Sequence, residues 1–295
     1  MSMAEQDSLT RFVFEHAPVR GAIVHLQQTW REVLGRHDYP APVQRILGEL
    51  MAAGALLASG IKFDGKLILQ MQGDGPLKLA VVEVTSRHTL RATARWEEGS
   101  LHGPLPNLLG EGQFVMTIDQ SGASQQNYQG IVPLEGGTVA QVLEHYLVQS
   151  EQLDTRLMLA VDETTAAGML LQKLPEGSGQ DTEAWERAQF LAATLTPAEL
   201  LKLPARDLLL RLFHEETLRR FQQQPLSFHC GCSRARTDAM LRALGREEVE
   251  ETLAEQGQVE VVCEFCKARY VYDAVDTALL FSALAVGGPA PGQLH

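Results

Sequence analysis

The chain has 295 residues, 45% of them hydrophobic and 21% charged, and its 25 basic and 37 acidic side chains leave a formal net charge of −12. That length and balance suit a globular protein with one large core or two smaller ones, and they disfavour nonspecific attraction to nucleic-acid backbones or anionic membranes. No apolar run approaches the roughly 18 residues of a membrane-crossing helix, and Met1 to Thr10 lacks the basic and apolar regions of a signal peptide, so the expected location is the cytoplasm.

In chain order, Arg11 to Glu15 and Ala22 to Leu26 read as strands, followed by a helical pattern over Gln27 to Leu34. Pro40 and Pro42 then open a second helix, Val43 to Ser59, with Val43, Ile46, Leu47, Leu50 and Met51 at helical spacing. Lys66 to Gln72 and Pro76 to Val84 read as a hairpin around Gly73-Asp74-Gly75. Strands are expected at Leu90 to Trp96, Gln113 to Asp119 and Tyr128 to Pro133. A helix over Val139 to Gln149 and strands at Arg156 to Val161 and Gly168 to Lys173 follow. Strands outnumber helices here, so the fold class is α+β: a mixed N-terminal domain spanning 1–177.

Glu176 to Gln180 reads as a flexible hinge, and the segment 178–228 as a helical, amphipathic linker, helical up to about Gln223. Thr196-Pro197-Ala198-Glu199 is a helix start, with Thr as N-cap, Pro in the first turn and Glu at the capping-box position. Pro204 restarts a helix whose stripe of Leu208, Leu209, Leu210, Leu212 and Phe213 is interrupted by one charge, Arg211. Each such side chain loses roughly 1.5–3 kcal/mol if left in water, so the stripe requires a covering surface. An ordinary core helix would satisfy that requirement, as would a surface that is covered in one state and open in another.

Four cysteines dominate the tail, 229–295: Cys230 and Cys232 as C-x-C, Cys263 and Cys266 as C-x-x-C, with no others in the chain. Close pairs of soft thiolates on a returning loop match a closed tetrahedral zinc site, one Zn2+ per chain. Gly231 fills the tight corner of the first pair, and His229 is a bystander to an already complete ligand shell. Two structural disulfides or four unrelated thiols are the alternatives; in a reducing compartment, metal ligands or redox sensors fit better. Helices at Thr237 to Leu244 and Val249 to Glu255 and strands at Val259 to Val262 and Arg269 to Tyr272 give this part a thin core. Metal would then supply much of its folding energy, about 10–16 kcal/mol in small zinc modules. The Pro/Gly-rich end, Gly287 to His295, is expected to fray.

No enzyme signature survives inspection. Gly60 to Leu67 nearly spells a P-loop but ends in Leu where Ser or Thr should hold magnesium, and it leads from a helix into a strand, the reverse of the required context. Gly73-Asp74-Gly75 lacks the third glycine of a dinucleotide fingerprint, and His37-Asp38 and Glu144-His145 are isolated pairs.

Taken with the cysteine pattern, several stretches make the chain resemble the heat-shock protein 33 family of redox-regulated chaperones over nearly its full length. They include His37-Asp38-Tyr39-Pro40, Lys62-Phe63-Asp64-Gly65, Gln72-Gly73-Asp74-Gly75-Pro76 and Arg211-Leu212-Phe213-His214-Glu215-Glu216. The resemblance implies a zinc-bound reduced form of low activity. It also implies that oxidation pairs Cys230 with Cys232 and Cys263 with Cys266, ejects zinc, unfolds the tail and loosens the linker. The oxidised protein would then hold unfolding client proteins without ATP, with Leu208, Leu209, Leu212 and Phe213 as the client-binding candidates. The expected partners are unfolding clients and, in the oxidised form, a second copy as a homodimer, with neither nucleic acid nor membrane. A zinc ribbon that binds nucleic acid or regulates another protein is the rival reading. It is weakened by a tail carrying 6 Lys and Arg against 10 Asp and Glu from Cys230 to His295.

Overall fold

The structure, a computed structural model, describes residues 7–99, 101–120, 127–175, 181 and 183–285. The hinge read at Glu176 to Gln180, with the 177/178 boundary inside it, and the terminal Gly287 to His295 lie outside the described residues. The chain divides into two compact units, Met1–His229 and Cys230–His295.

The first unit is built around two sheets and one helix. In the first sheet, β1 (Ser8–Phe14) and β2 (Val19–Leu26) pair antiparallel, and β2 continues onto β9 (Ala166–Lys173) and then β8 (Thr155–Val161). In the second, β3 (Gly65–Gly73) and β4 (Leu77–Thr85) form the expected hairpin. They are flanked by β5 (Thr89–Trp96) on one side and by β6 (Gly112–Gln120) and β7 (Tyr128–Pro133) on the other.

Between α1 (Gln28–Leu34) and β3 runs α2 (Ala41–Gly60), with Pro42 in its first turn, and this helix packs against strands of both sheets. It can do so because its surface is small and apolar. A Cβ at Gly48 would lie 2.8 Å from a Val161 methyl on the first sheet, and one at Gly54 would lie 3.2 Å from a Val84 methyl on the second. Leu47, Leu50, Met51, Ala52 and Ala53 are fully buried, and with α4 (Val139–Glu151) they close the main core. Glu49 on α2 is the exception: burial pushes its carboxyl up to about 7, against the pull of Arg45. The folded state therefore binds more protons than the unfolded state between about pH 4.5 and 7, so Glu49 costs stability as pH rises through that window. Glu49→Gln should be the more stable form by roughly 1–3 kcal/mol at pH 8 and equal to the parent near pH 4. Urea denaturation of both proteins at the two pH values checks this.

The other face of the first sheet is covered by α5 (Ala184–Ala192), α6 (Pro197–Lys202) and α7 (Ala205–Phe213). The capping box is formed: Glu199 N–H donates to Thr196 Oγ1 at 3.3 Å and Thr196 N–H to Glu199 Oε2 at 2.9 Å. Leu208, Leu209, Leu212 and Phe213 are buried among Phe12, Phe14, Ile23, Met169 and Leu171, whereas Leu210 points outward at 64% exposure. Arg211, the charge within the stripe, pairs with Glu199 and donates to Thr194 O at 3.1 Å, tying α7 back to α6.

Helix does not continue to Gln223. After Phe213 the chain turns and forms β10 (Leu218–Arg220) and β11 (Gln224–Pro225), both antiparallel to β1, then β12 (Ser227–Phe228), parallel to β5. The unpaired edges of β1 and β5 decide the conformation there, overriding local propensity. A short helix, α3 (Leu105–Leu109), precedes β6, and its five residues carry no periodic signal in the sequence.

In the second unit, α8 (Arg234–Leu244) and α9 (Arg246–Gln256) precede the antiparallel hairpin β13 (Val259–Val262) and β14 (Arg269–Tyr272), followed by α10 (Ala274–Ala285). Its core consists of Leu241, Val249, Val259, Tyr272, Leu280 and Phe281. Such a core is thin for a self-standing fold.

Candidate metal centre

Two local structures bring the cysteines together. Cys230-Gly231-Cys232 leads directly into α8, whose N-cap Ser233 accepts from Arg236 N–H at 3.3 Å. The second pair occupies the turn between β13 and β14. There Cys263 N–H donates to Ala268 O at 2.9 Å, Lys267 N–H donates to Cys263 O at 2.8 Å, and Lys267 takes a left-handed φ of 60°. Gly231 fills the tight corner with a φ that is not positive. Its missing side chain leaves room for Arg236 Nη1, which would lie 3.1 Å from an added Cβ.

The four sulfurs lie within 4.8 Å of one another, and each residue is half-buried. Cys230 Sγ is 3.6 Å from Cys263 Sγ, and Cys232 Sγ is 3.3 Å from Cys266 Sγ. None of the four cysteines is in a disulfide. A tetrahedron with metal–sulfur bonds of about 2.3 Å has sulfur–sulfur edges of about 3.8 Å, so the observed spacing fits a tetrahedral ion of soft or borderline character.

Hydrogen-bond donors also converge on the sulfurs. The backbone N–H groups of Cys266 and Phe265 point at Cys263, that of Ala268 points at Cys266, and the Tyr270 hydroxyl donates to Cys232 Sγ at 3.2 Å. Burial and the neighbouring sulfurs nevertheless push Cys263 up and Cys266 up to about 12. A thiolate cluster this close thus needs a cation to hold it. Below the cluster, Tyr272 OH bonds Thr237 Oγ1 at 2.6 Å and Asp238 Oδ1 at 2.7 Å, locking the hairpin to α8.

His229 stands outside the cluster, with its backbone N–H bonded to Leu90 O. Of the rejected pairs, Glu144 accepts from Leu157 N–H at 2.7 Å, His145 lies 3.3 Å from Glu135, and His37 stacks on Tyr39, all structural roles.

The fold and the centre define an α+β protein in which a two-sheet unit is followed by a separate module whose four cysteines cluster within metal-binding distance. The sequence profile of the family described as "Hsp33 protein" matches residues 7–273, and the chain belongs to that family. It is 53% identical over 283 residues to the 33 kDa chaperonin of Chromobacterium violaceum, covering 95% of this chain and 96% of that protein. It is 50% identical over 293 residues to the 33 kDa chaperonin of Nitrosococcus oceani, covering 99% and 100%. A crystal structure of the 33 kDa chaperonin (heat shock protein 33 homolog) of Thermotoga maritima superposes with a TM-score of 0.82 at 23% identity, over 95% of this chain and 99% of that one, a likeness of fold. The family and the names of these relatives support a chaperone.

Proposed function

We propose that the protein is a redox-regulated holdase: quiet when reduced and zinc-bound, active when oxidised, and protecting unfolding proteins from aggregation without ATP in the cytoplasm during oxidative stress. The observation that carries this reading is the convergence of the chain's only four cysteines, none of them in a disulfide, in a unit whose core holds six buried apolar side chains among the described residues. Cys230, Cys232, Cys263 and Cys266 would hold one zinc ion, which when bound supplies a cross-link and keeps the sulfurs as thiolates. Those thiolates are the form that oxidants attack, and each has a neighbour able to resolve a sulfenic acid. Oxidation of both pairs by a peroxide-class oxidant removes four electrons, forms two S–S bonds and consumes every ligand. The linker, 178–228, is the element that then opens between the N-terminal domain, 1–177, and the redox-sensing tail, 229–295. Leu208, Leu209, Leu212 and Phe213 would meet clients, and two oxidised copies could associate.

The pairing Cys230 with Cys232 and Cys263 with Cys266 needs a physical reason, because close sulfur contacts of 3.6 and 3.3 Å run between the pairs. Around a tetrahedral ion all six edges are alike, so proximity does not choose. Loop closure does, because in a loosening tail the sequence neighbours meet far more often than thiols some thirty residues apart.

One sample measured before and after peroxide treatment tests the whole proposal. Zinc content should fall from one per chain to near zero, suppression of citrate synthase aggregation should rise at least tenfold, and peptide mapping should find both disulfides within pairs. A protein that loses its zinc and gains no suppressing activity refutes the switch. Cross-pair disulfides would refute the unfolding step, since they would pin the two knuckles together.

A further inference from the structure

The first sheet turns one face to α2 and the main core, and at one end that face is charged. Arg11 on β1 stands opposite Ala22, and Arg20, two residues before Ala22 on β2, stands opposite Gln172 on β9. The two arginines are therefore diagonal neighbours on the same inward face. Arg20 donates through Nε, at 2.8 Å, and through Nη2 to one neutral acceptor, Gln172 Oε1, and Gln172 in turn donates to Thr155 Oγ1 at 3.0 Å. The buried Nε of Arg11 has no acceptor among the described residues, and its guanidinium lies 5.6 Å from the centre of the Phe221 ring. Neither arginine has an ion-pair partner among the described residues.

Both arginines line a cavity of about 490 Å³ whose other walls include Leu56, Leu57, Met116, Ile118, Leu147 and Leu170. The carboxylate on its lining, Glu151, is already engaged, accepting from Tyr128 OH at 2.7 Å and from Tyr146 OH at 3.2 Å. Two cations thus share an apolar enclosure with one hydrogen-bonded carboxylate. A buried donor without an acceptor and a cation without a partner are both costly.

We propose that this cavity binds an amphiphilic monocarboxylate, a medium- or long-chain fatty acid, with its headgroup between Arg11 and Arg20 and its chain along the leucine wall. The guanidinium fork matches a carboxylate in geometry and charge. A bare anion would leave the apolar walls unused, and a neutral lipid would leave the arginines unpaired. The volume falls in the range of about 300–1,000 Å³ typical of small-molecule sites.

Isothermal titration of the reduced, full-length protein with dodecanoate below its micelle concentration, with dodecanol and with acetate tests the assignment. One dodecanoate should bind per chain, dodecanol at least tenfold more weakly, and acetate without saturation. Arg11→Met should weaken dodecanoate at least tenfold and leave dodecanol unchanged, Arg11→Lys should retain part of the affinity, and Leu56→Trp should abolish binding by filling the cavity. Absence of saturable dodecanoate binding overturns the proposal, as does equal affinity for dodecanol, or an acetate affinity matching that of dodecanoate. An unchanged dodecanoate affinity in a folded Arg11→Met protein overturns it too. Should that variant not fold, the three-ligand comparison on the parent protein decides.

Discussion

Replacing Cys263 by Ser should yield a protein that purifies nearly free of metal, with the second unit unfolded and the first intact. Three sulfurs remain, but a closed tetrahedral site has no spare ligand, and a serine hydroxyl is neither soft nor ionised at neutral pH. The N–H groups of Phe265 and Cys266 would also lose the sulfur they face. The energetic contrast is large. The six buried core residues contribute on the order of 9–18 kcal/mol before chain entropy is subtracted. Metal binding in small thiolate modules contributes about 10–16 kcal/mol, a term as large as the core itself. Losing it should abolish folding of the unit, where a core truncation would only weaken it. Zinc quantification with near-ultraviolet and far-ultraviolet circular dichroism reads both effects, and a strong chelator on the parent protein should reproduce them. Under the proposed switch, basal suppression of client aggregation should rise at the same time, because the mutation would reach without oxidant the state assigned to oxidation. A Cys263→Ser protein that stays metal-replete, folded and quiet until oxidised would sink this account.

The centre was legible in the sequence because thiolate pairing is local and chemically specific: spacing alone groups Cys230 with Cys232 and Cys263 with Cys266. Helix α2 and the β3–β4 hairpin were legible for a related reason, since periodicity and turn residues are written in contiguous sequence. What escaped depends on distant chain. The N-terminus of α1 is capped by Asp7, whose carboxylate accepts from the N–H groups of Gln27, Gln28 and Thr29 some twenty residues away. Strands β10 to β12 exist because the edges of β1 and β5 were free to pair. Helix α10, by contrast, leaves a local signal: Asp273 caps it, accepting from Val275 and Asp276 N–H. Arg11 shares one face of β1 with Leu9 and Val13, yet the cavity it faces is assembled from elements far apart in the chain.

Hydrogen exchange on the oxidised, mildly heated protein should show the segment from Cys230 to Tyr272 of the second unit losing protection first and most completely. The segment from Thr196 to Glu216 should follow, with exchange faster by at least a factor of ten, while Ala41–Gly60 keeps its protection. The stripe on α7 is covered to core standard: Leu208, Leu209, Leu212 and Phe213 are at most 3% exposed, and the Phe213 ring meets that of Phe14 edge-on at 5.2 Å. Burial of that quality contributes roughly 6–12 kcal/mol over four side chains, which is why oxidation alone should not lift the helix and heat is needed as well. The fastenings around it are modest. Arg187 joins Asp181 and Glu216 at 2.8 and 2.7 Å on an exposed surface, and such pairs contribute about 0–1 kcal/mol. Beyond Phe213 the chain is held by strands of two or three residues, and Cys230 follows Phe228 at a distance of two. When the tail unfolds, the end of β12 becomes the start of a disordered chain, and fraying can proceed from there towards α7. Covered and open states of the linker then approach each other in free energy, as a switch requires. If oxidation deprotects Cys230 to Tyr272 and leaves Thr196 to Glu216 exchanging as slowly as before, the stripe is ordinary core, and clients must be held elsewhere.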